Sequence, residues 1–444
     1  MKYDVIVVGG GTSGCAAAYT AARQGLKTLL IEKNTYLGGT MTGALVTPAM
    51  KSSDNQINTE FFNNYRDELK KLGGQITYLD GNEGWFNPEL GKIALDRLMI
   101  QAGVDVLFNT YITEIQSDKK QISGIKISSM ANISHKILSP HTETSNCLNK
   151  NTTDILSERI ETTYIVDATA NQSICNALNC NFIEDNNLKQ PSSLRFIASG
   201  VNLNQFKNFI LELDKDRNAT TAVDINGNIH LSTACTVDRE WALTPIFNKA
   251  YQEGVLEKND LAYFQVFTIP GMRDSVAFNC PRFNKTFEFN DTKALSQELI
   301  NARESILRIM DFCKKYLPGF NNSFISSIAP MLGERVSRRA IGEYFYKIED
   351  LKSGKKFENP VLISNYPIDV HSNDKNNTKL EKVMQEYQLP VEALKSKDYN
   401  NLYFVGRSIS ADFYAQAALR IIPSCFSMGE GLAKYLARLE NKKI

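Results

Sequence analysis

The stretch from Tyr3 to Glu32, YDVIVVGGGTSGCAAAYTAARQGLKTLLIE, constrains the fold more than any other part of the chain. Tyr3 to Val8 is a valine-rich apolar run of the kind that forms a parallel strand buried on both faces. It stops at the frame Gly9-x-Gly11-x-x-Gly14. There the first glycine permits a sharp turn, the second lets the backbone approach a pyrophosphate, and the third lets helix and sheet pack closely. The spacing predicts a helix from about Ser13 to Gln24. Its free N–H groups and positive dipole end, with Thr12 and Ser13 at the opening, face the turn and receive phosphate charge without a basic side chain. Cys15, Ala16, Ala17 and Ala18 keep that helix slim. Gly25 ends it, Thr28 to Ile31 gives the next strand, and Glu32, eighteen residues beyond Gly14, offers a carboxylate to ribose hydroxyls. A glycine frame alone is weak, but strand, helix, second strand and terminal acid agree here on a dinucleotide site. NAD and FAD both satisfy this unit.

The next segment, KNTYLGGTMTG from Lys33 to Gly43, places Gly38, Gly39 and Thr40 just past the acid. This pattern resembles the FAD-binding flavoproteins of the glutathione reductase and fumarate reductase type, where the loop follows the pyrophosphate and ribityl chain toward the isoalloxazine ring. The resemblance implies that the backbone of Ile112 clamps the adenine edge. TYIVDATA (163–170) is similar to the strand of these flavoproteins that returns to the nucleotide, with Asp167, Ala168 and Thr169 matching and Ala170 and Asn171 standing in place of the usual Gly and Asp. A backbone role for Ala168 and Thr169 follows; a carboxylate role does not.

Two further motifs, GERVSRRAIG (333–342) and YPIDVH (366–371), resemble a bacterial group of FAD-dependent oxidoreductases, with Val336 departing from a carboxylate often present there. Three arginines within five residues are costly to bury unless they meet carboxylates, phosphates or flavin oxygens. Arg335, Arg338 and Arg339 are therefore candidates for holding an anionic substrate or the nucleotide, and His371 for shuttling protons. The alternative is an ion-pair network docking two domains, with Asp369 orienting His371. Arg338 and His371 are the expected catalytic pair. Toward the carboxy terminus, LYFVGRSISADFYAQAALRIIPSCFSMGEGLAKYLA (402–437) resembles the flavin motif of the same family. It contributes Gly406, Arg407, Arg420, Pro423 and Met428. Pro423 suits a first helical turn, having no N–H to lose. The resemblance implies that this helix points its amino end at the pyrimidine side of the flavin, with Arg420 adding to the field. Gly429 and Gly431 replace the family's G-x-A-A-G.

A chain of 444 residues, 43% hydrophobic, exceeds one typical core and implies two domains. Lys and Arg total 50 against 49 Asp and Glu, so nothing suggests the broad positive field of a nucleic-acid or anionic-membrane binder. Eight cysteines never form CxxC and only four histidines accompany them, which argues against zinc, iron–sulfur or other metal sites. Their scatter fits reduced thiols in a soluble, cytoplasmic protein, with Cys175 and Cys180 possible near neighbours. No run of eighteen apolar residues is present.

The expected layout is a discontinuous Rossmann-like α/β FAD-binding domain of the glutathione reductase class, residues 1–190 and 331–444. A β-rich α+β substrate domain, residues 191–330, is inserted between its parts. Tyr263, Phe264, Arg273 and Arg282 are candidate walls for the latter. Gln121–Met130, Ile133–Leu138 and Arg159–Val166 read as a small meander, interrupted by a polar surface excursion at 139–157. The functional expectation is hydride transfer between a small-molecule substrate and FAD. Without a second GxGxxG the electron donor or acceptor is a small molecule or an unidentified carrier. No histidine precedes His135, so FAD is expected to be held noncovalently; a cysteinyl link stays open. A flavin-dependent tRNA- or cofactor-modifying protein, an NAD-dependent dehydrogenase and an electron-transfer flavoprotein are the alternatives. Neither substrate nor oligomeric state follows.

Overall fold

The computed structural model describes residues 1–50, 52–76, 84–129, 159–183, 188, 190–225, 227–234, 241–283, 291–371 and 379–442. The expected strand Ile133–Leu138 and the excursion 139–157 lie outside the described residues. Two sheets organise what is described. The first contains β1 (Lys2–Val8), β2 (Thr28–Ile31), β3 (Asp105–Leu107), β4 (Thr110–Asp118), β5 (Gln121–Ser129) and β6 (Ile160–Asp167), in the order β3-β2-β1-β6-β5-β4. Val, Ile and Leu fill β1 and β2 because both faces are covered: Val5, Val7 and Leu30 pack with the helix Thr12–Arg23, and Ile6, Val8 and Leu29 pack with Ile122, Ile125 and Ile127 of β5; Ile6 and Val7 have no exposed surface.

β6 is shared along its length. Its start pairs antiparallel with β5 (Gly124↔Glu161), whereas its end pairs parallel with the strand Leu402–Phe404 (Phe404↔Asp167). The last hundred residues thus return to the sheet that the first thirty began. Since β1, β2, β3, β6 and Leu402–Phe404 all run parallel, their carboxyl ends form one edge. Gly9, Glu32, Ala168 and Val405 each continue a strand off this edge, and backbone bonds tie them across it: Gly9 N to Ile31 O at 2.7 Å, Ala168 N to Val8 O at 2.8 Å, Glu32 N to Leu107 O at 2.9 Å. Open parallel sheets bind ligands in the crevice at this edge.

The second sheet is antiparallel throughout. Its strands are β7 (Phe196–Ser199), β8 (Thr220–Ile225), β9 (Asn228–Ala234), β10 (Gln265–Ile269), β11 (Met272–Phe278) and β12 (Phe324–Ile328), ordered β8-β9-β10-β11-β7-β12. Alternating apolar positions on these strands face an aromatic core. Phe196 stacks on Phe278 at 4.2 Å between ring centroids, and Phe247 meets Phe312 of the long helix Thr292–Tyr316 at 4.3 Å. Phe247 lies on the helix Thr244–Gln252, which has Pro245 in its first turn. A proline there has no N–H to lose.

Candidate functional site

The first part of the site is a cradle made of backbone. Gly9 turns out of β1 with φ +103°, a conformation that side-chain-bearing residues rarely adopt, and a Cβ there would lie 2.7 Å from Ala168 O. The helix Thr12–Arg23 begins with Gly11 as its N-cap, without a side-chain cap and without an acid in its first turn. Its first N–H groups therefore face outward with nothing from their own side chains to satisfy them. Gly14 packs so tightly that a Cβ would sit 1.9 Å from Gly9 O, and Gly429 of the closing helix Ile422–Asn441 so tightly that one would sit 2.1 Å from Ser13 O. Gly11 differs: a Cβ added there meets nothing within 4 Å. Its small size answers to no neighbour in the fold, which fits a glycine kept for the approach of a phosphate.

The second glycine loop lies directly against the first. Gly38 N donates to Gly10 O at 2.7 Å, Gly38 bridges Gly11, and a Cβ on Gly39 would come 3.0 Å from Gly11 Cα. Thr40 opens the single turn Thr40–Gly43 that follows. Glu32 is buried and binds both sides of the crevice mouth, accepting from Gly10 N at 2.6 Å and from Asn34 N at 2.8 Å. It also accepts from Asn34 Nδ2 at 2.7 Å; since a carboxylate has about four acceptor sites, capacity for one ribose hydroxyl is left. Lys33 is exposed beside it. Asn109 N and Thr110 N bond Asn34 O and Glu32 O, which brings the start of β4, with Ile112 two residues on, to this side of the crevice. From the far side comes Gly406, whose added Cβ would contact Ser13 Oγ at 3.3 Å, then Arg407 and the helix Ile422–Asn441 with Pro423 in its first turn and Met428 fully buried.

Asp167, by contrast, serves the framework. Its carboxylate accepts from Thr169 N at 3.0 Å, Ile174 N at 2.8 Å and Cys175 N at 3.2 Å, knitting the end of β6 to the short helix Ser173–Ala177. Burial pushes its pKa up to about 6 against the pull of those bonds.

The second part of the site is made of side chains. Ser193 pairs with Arg282 on one flank and with Gly333 on the other, exchanging both backbone bonds with Gly333 at 3.2 and 2.9 Å. Directly opposed residues share a face, as do residues two apart on a strand. Arg282 rises beside Ser193 on this narrow ribbon, and Arg195 and Arg335, two residues beyond Ser193 and Gly333, join it: the charges of Arg282 and Arg195 both act on Arg335. All three are buried, at 7%, 5% and 8% exposure. Arg195 donates to Leu45 O at 3.2 Å, just beyond the second glycine loop, Arg335 donates to Pro191 O, and Arg282 lies over the Tyr263 ring at 3.3 Å.

From this ribbon a polar chain runs to the closing helix. Arg282 Nη2 lies 3.3 Å from His371 Nδ1, His371 Nε2 lies 3.2 Å from Asp369 Oδ2, and Arg420 Nη2 donates to the same Oδ2 at 3.2 Å. Gln190 Oε1 accepts from Arg420 at 3.3 Å and from His371 N at 3.1 Å. Burial and the charges of Arg335 and Arg282 hold the His371 imidazole down at about 3, outweighing the Asp369 carboxylate. It is thus neutral at pH 7, and one tautomer fits both contacts: Arg282 donates to Nδ1 and Nε2–H donates to Asp369. Burial opposes ionisation of Asp369, but the His371 hydrogen bond and the charges of Arg420 and Arg335 prevail and hold it well below the usual carboxylate range. The guanidinium of Arg335 is pulled well below its ordinary pKa by burial first, then by Arg282, Arg420 and Arg195.

His371 and Arg420 are therefore brought together with the cradle's closing helix, but Arg338 is not. Its guanidinium bonds Asn176 Oδ1 and lies 5.4 Å from the Phe182 ring centroid, while Arg339 turns inward to Ala411 O at 2.9 Å. Alternation along the chain sends successive arginines of GERVSRR to different neighbours. Sequence reasoning missed Gln190 and Arg195. The detectable signal was Arg195 itself, a lone charge in SSLRFIAS, a segment otherwise patterned for burial. Among the described residues no group of carboxylates, thiols and imidazoles is placed to hold a metal ion, and no helix is long and apolar enough to cross a membrane. The described cysteines are all buried free thiols.

These features fit FAD. A glycine with open space stands at a bare helix N-terminus, a ribose-side carboxylate lies across from it, and the partly buried Arg407 and Arg420 each keep one buried, unpartnered guanidinium nitrogen near the closing helix. The chain resembles known proteins over part or all of its length. Thiamine thiazole synthase of Methanococcus vannielii is 29% identical over 133 residues, which cover 29% of this chain and 47% of the relative. Digeranylgeranylglycerophospholipid reductase 2 of Methanothermobacter thermautotrophicus is 58% identical over 38 residues, 9% of this chain and 10% of the relative. The matches thus span about half the length of the first relative and far less of the second. Among solved structures, a geranylgeranyl bacteriochlorophyll reductase-like protein from Thermoplasma acidophilum aligns over 100% of this chain and 79% of its own, at 14% identity and a TM-score of 0.43. A p-nitrophenol 4-monooxygenase from Pseudomonas putida aligns over 100% and 81%, at 9% identity and a TM-score of 0.47. The family described as FAD dependent oxidoreductase matches residues 4–142 and 143–443. The chain belongs to that family and is an enzyme that uses FAD.

Proposed function

We propose that this protein transfers a hydride between a small organic substrate and noncovalently held FAD, in a two-domain arrangement of the glutathione reductase class. Residues 1–190 and 331–444 hold the cofactor, and residues 191–330 contribute the substrate side. The observation that carries this reading is the meeting of two unlike surfaces. A glycine cradle at the carboxyl edge of a parallel sheet is joined, through Arg420 and Asp369, to a ribbon of buried arginines. FAD, when bound, supplies the two-electron chemistry.

The chain's own residues do the rest. Gly9 to Gly14 and the N–H groups of Thr12, Ser13 and Gly14 receive the pyrophosphate, Glu32 the ribose, and the backbone near Ile112 the adenine edge. Ala168, Thr169, Gly38, Gly39, Thr40 and Gly406 allow close approach, and Arg407, Arg420 and the start of the helix Ile422–Asn441 face the redox end with positive potential. His371 acts by position: with both ring nitrogens engaged and no charge at neutral pH, it holds Arg282 in place and relays the ribbon to Asp369. The electron partner is a small molecule or a carrier.

Anaerobic mixing of the FAD-loaded protein with a panel of reduced organic compounds tests this. Bleaching of the visible flavin band by at least one is expected. A fully loaded protein that no compound bleaches would instead be a carrier of electrons without its own substrate.

A further inference from the structure

Building on that reading, we propose that the substrate carries a carboxylate, seated against Arg195, Arg282 and Arg335 at the Ser193 ribbon. The argument is one of charge and of donors. Four guanidiniums, counting Arg420, converge here, and among the described residues the one carboxylate bonded to them is Asp369, which is occupied by Arg420 and His371. His371 adds no negative charge. The ribbon therefore carries an excess of positive charge inside the protein, and each arginine raises the cost of burying the others. Buried charge of one sign is tolerated where an opposite charge joins it.

The donors point the same way. Among the described residues, Arg282 Nε and Nη1, Arg195 Nε and Gln190 Nε2 are buried without a hydrogen-bond partner. An unsatisfied buried donor is expensive, and a charged one more so. Arg282 is preorganised: the Tyr263 ring under its plane and His371 at Nη2 fix the guanidinium, leaving Nε and Nη1 as two separate in-plane donors for anionic oxygens. With Arg195 Nε and Gln190 Nε2 beside them, these donors suit carboxylate oxygens, to which guanidinium hydrogen bonds are charge-assisted. In that reading FAD would leave Arg195, Arg282 and Arg335 uncompensated, because the Gly11 cradle would hold its pyrophosphate and Arg407 and Arg420 its redox end. Arg195, anchored to Leu45 O beyond the second glycine loop, joins the ribbon to the end of that loop.

The test titrates oxidised, FAD-loaded protein with acetate, malonate and benzoate, and with inorganic phosphate and sulfate at matched ionic strength. It is read by the visible flavin band and, on the FAD-free chain, by the thermal midpoint. At least one carboxylate is expected to saturate both signals and to bind about tenfold or more tightly than phosphate or sulfate. Arg282→Gln and Arg195→Gln should each weaken that binding by about tenfold or more, the loss of one charge-assisted bond. Arg282→Lys should recover part of it, and Lys126→Gln, on β5, should change nothing. No saturable response to any carboxylate, phosphate binding as tightly, or glutamine variants that titrate like the parent would each overturn the proposal. If those variants do not fold, the parent's carboxylate and phosphate titrations decide alone. Failure to take up FAD would contradict the preceding section instead, and the thermal titration would still judge this one.

Discussion

At the carboxyl edge of the parallel sheet, positive potential comes from backbone: bare N–H groups at the start of the helix Thr12–Arg23, exposed by glycines. On the Ser193 ribbon it comes from side chains, three guanidiniums buried together. The backbone device costs little in the absence of ligand, since peptide dipoles carry no net charge. The side-chain device stores unfavourable charge until an anion arrives. One region should therefore tolerate being empty, and the other should be electrostatically strained.

The sharpest way to break the comparison is through sterics. Gly14→Val would drive a side chain into Gly9 O, 1.9 Å from the Cβ position, and no flexible group can yield there. Loss of the folded state is expected, a cost beyond about 3 kcal/mol, read by denaturant unfolding. A stably folded Gly14→Val protein would show that the cradle is looser than described.

Next in size is Asp369→Asn, which removes the ribbon's counter-charge while keeping its shape. A loss of about 3 kcal/mol is expected in the FAD-free chain, because Arg420 and Arg335 are left uncompensated. An unchanged unfolding midpoint would mean that the arginines find their balance elsewhere.

A pH series sharpens the same point. His371 has its pKa depressed to about 3, below the ordinary value of 6.5, so the unfolded chain binds its proton first. Its contribution makes stability fall as pH drops from about 6.5 toward 3, by up to about 1.4 kcal/mol per pH unit. Asp369, also depressed, adds to the loss only below about pH 4. His371→Gln should flatten the curve between pH 6 and 4, by about the one-proton slope. A parallel curve would show that His371 titrates normally. Smallest of all, Arg338→Gln should change stability by less than about 1 kcal/mol and leave carboxylate binding as it was, since Arg338 is half-buried beside Asn176 and Phe182.

The same contrast explains what could be read from the chain beforehand. A site made of backbone must write its demands into consecutive residues. Gly9, Gly11 and Gly14, then Glu32, then Gly38 and Gly39 are spaced by the turn, the helix and the strand between them. The slim helix Thr12–Arg23 and the closing helix from Ile422 were legible for the same local reasons. A site made of side chains draws on residues 190–195, 282, 335, 369–371 and 420, and only the pairing of Ser193 with two distant strands assembles it. No local pattern records such a pairing. Arg338 is expected from the sequence to act with His371; three residues along the chain from Arg335, it turns to a different surface.

The flavin content of Gly11→Val, measured beside its unfolding curve, tests the central claim most directly. Because nothing in the fold occupies the space beside Gly11, the variant should fold like its parent and yet retain no FAD after reconstitution, while the parent binds it and releases it on denaturation. A yellow Gly11→Val protein, or a parent that stays colourless with FAD in excess, would contradict the account.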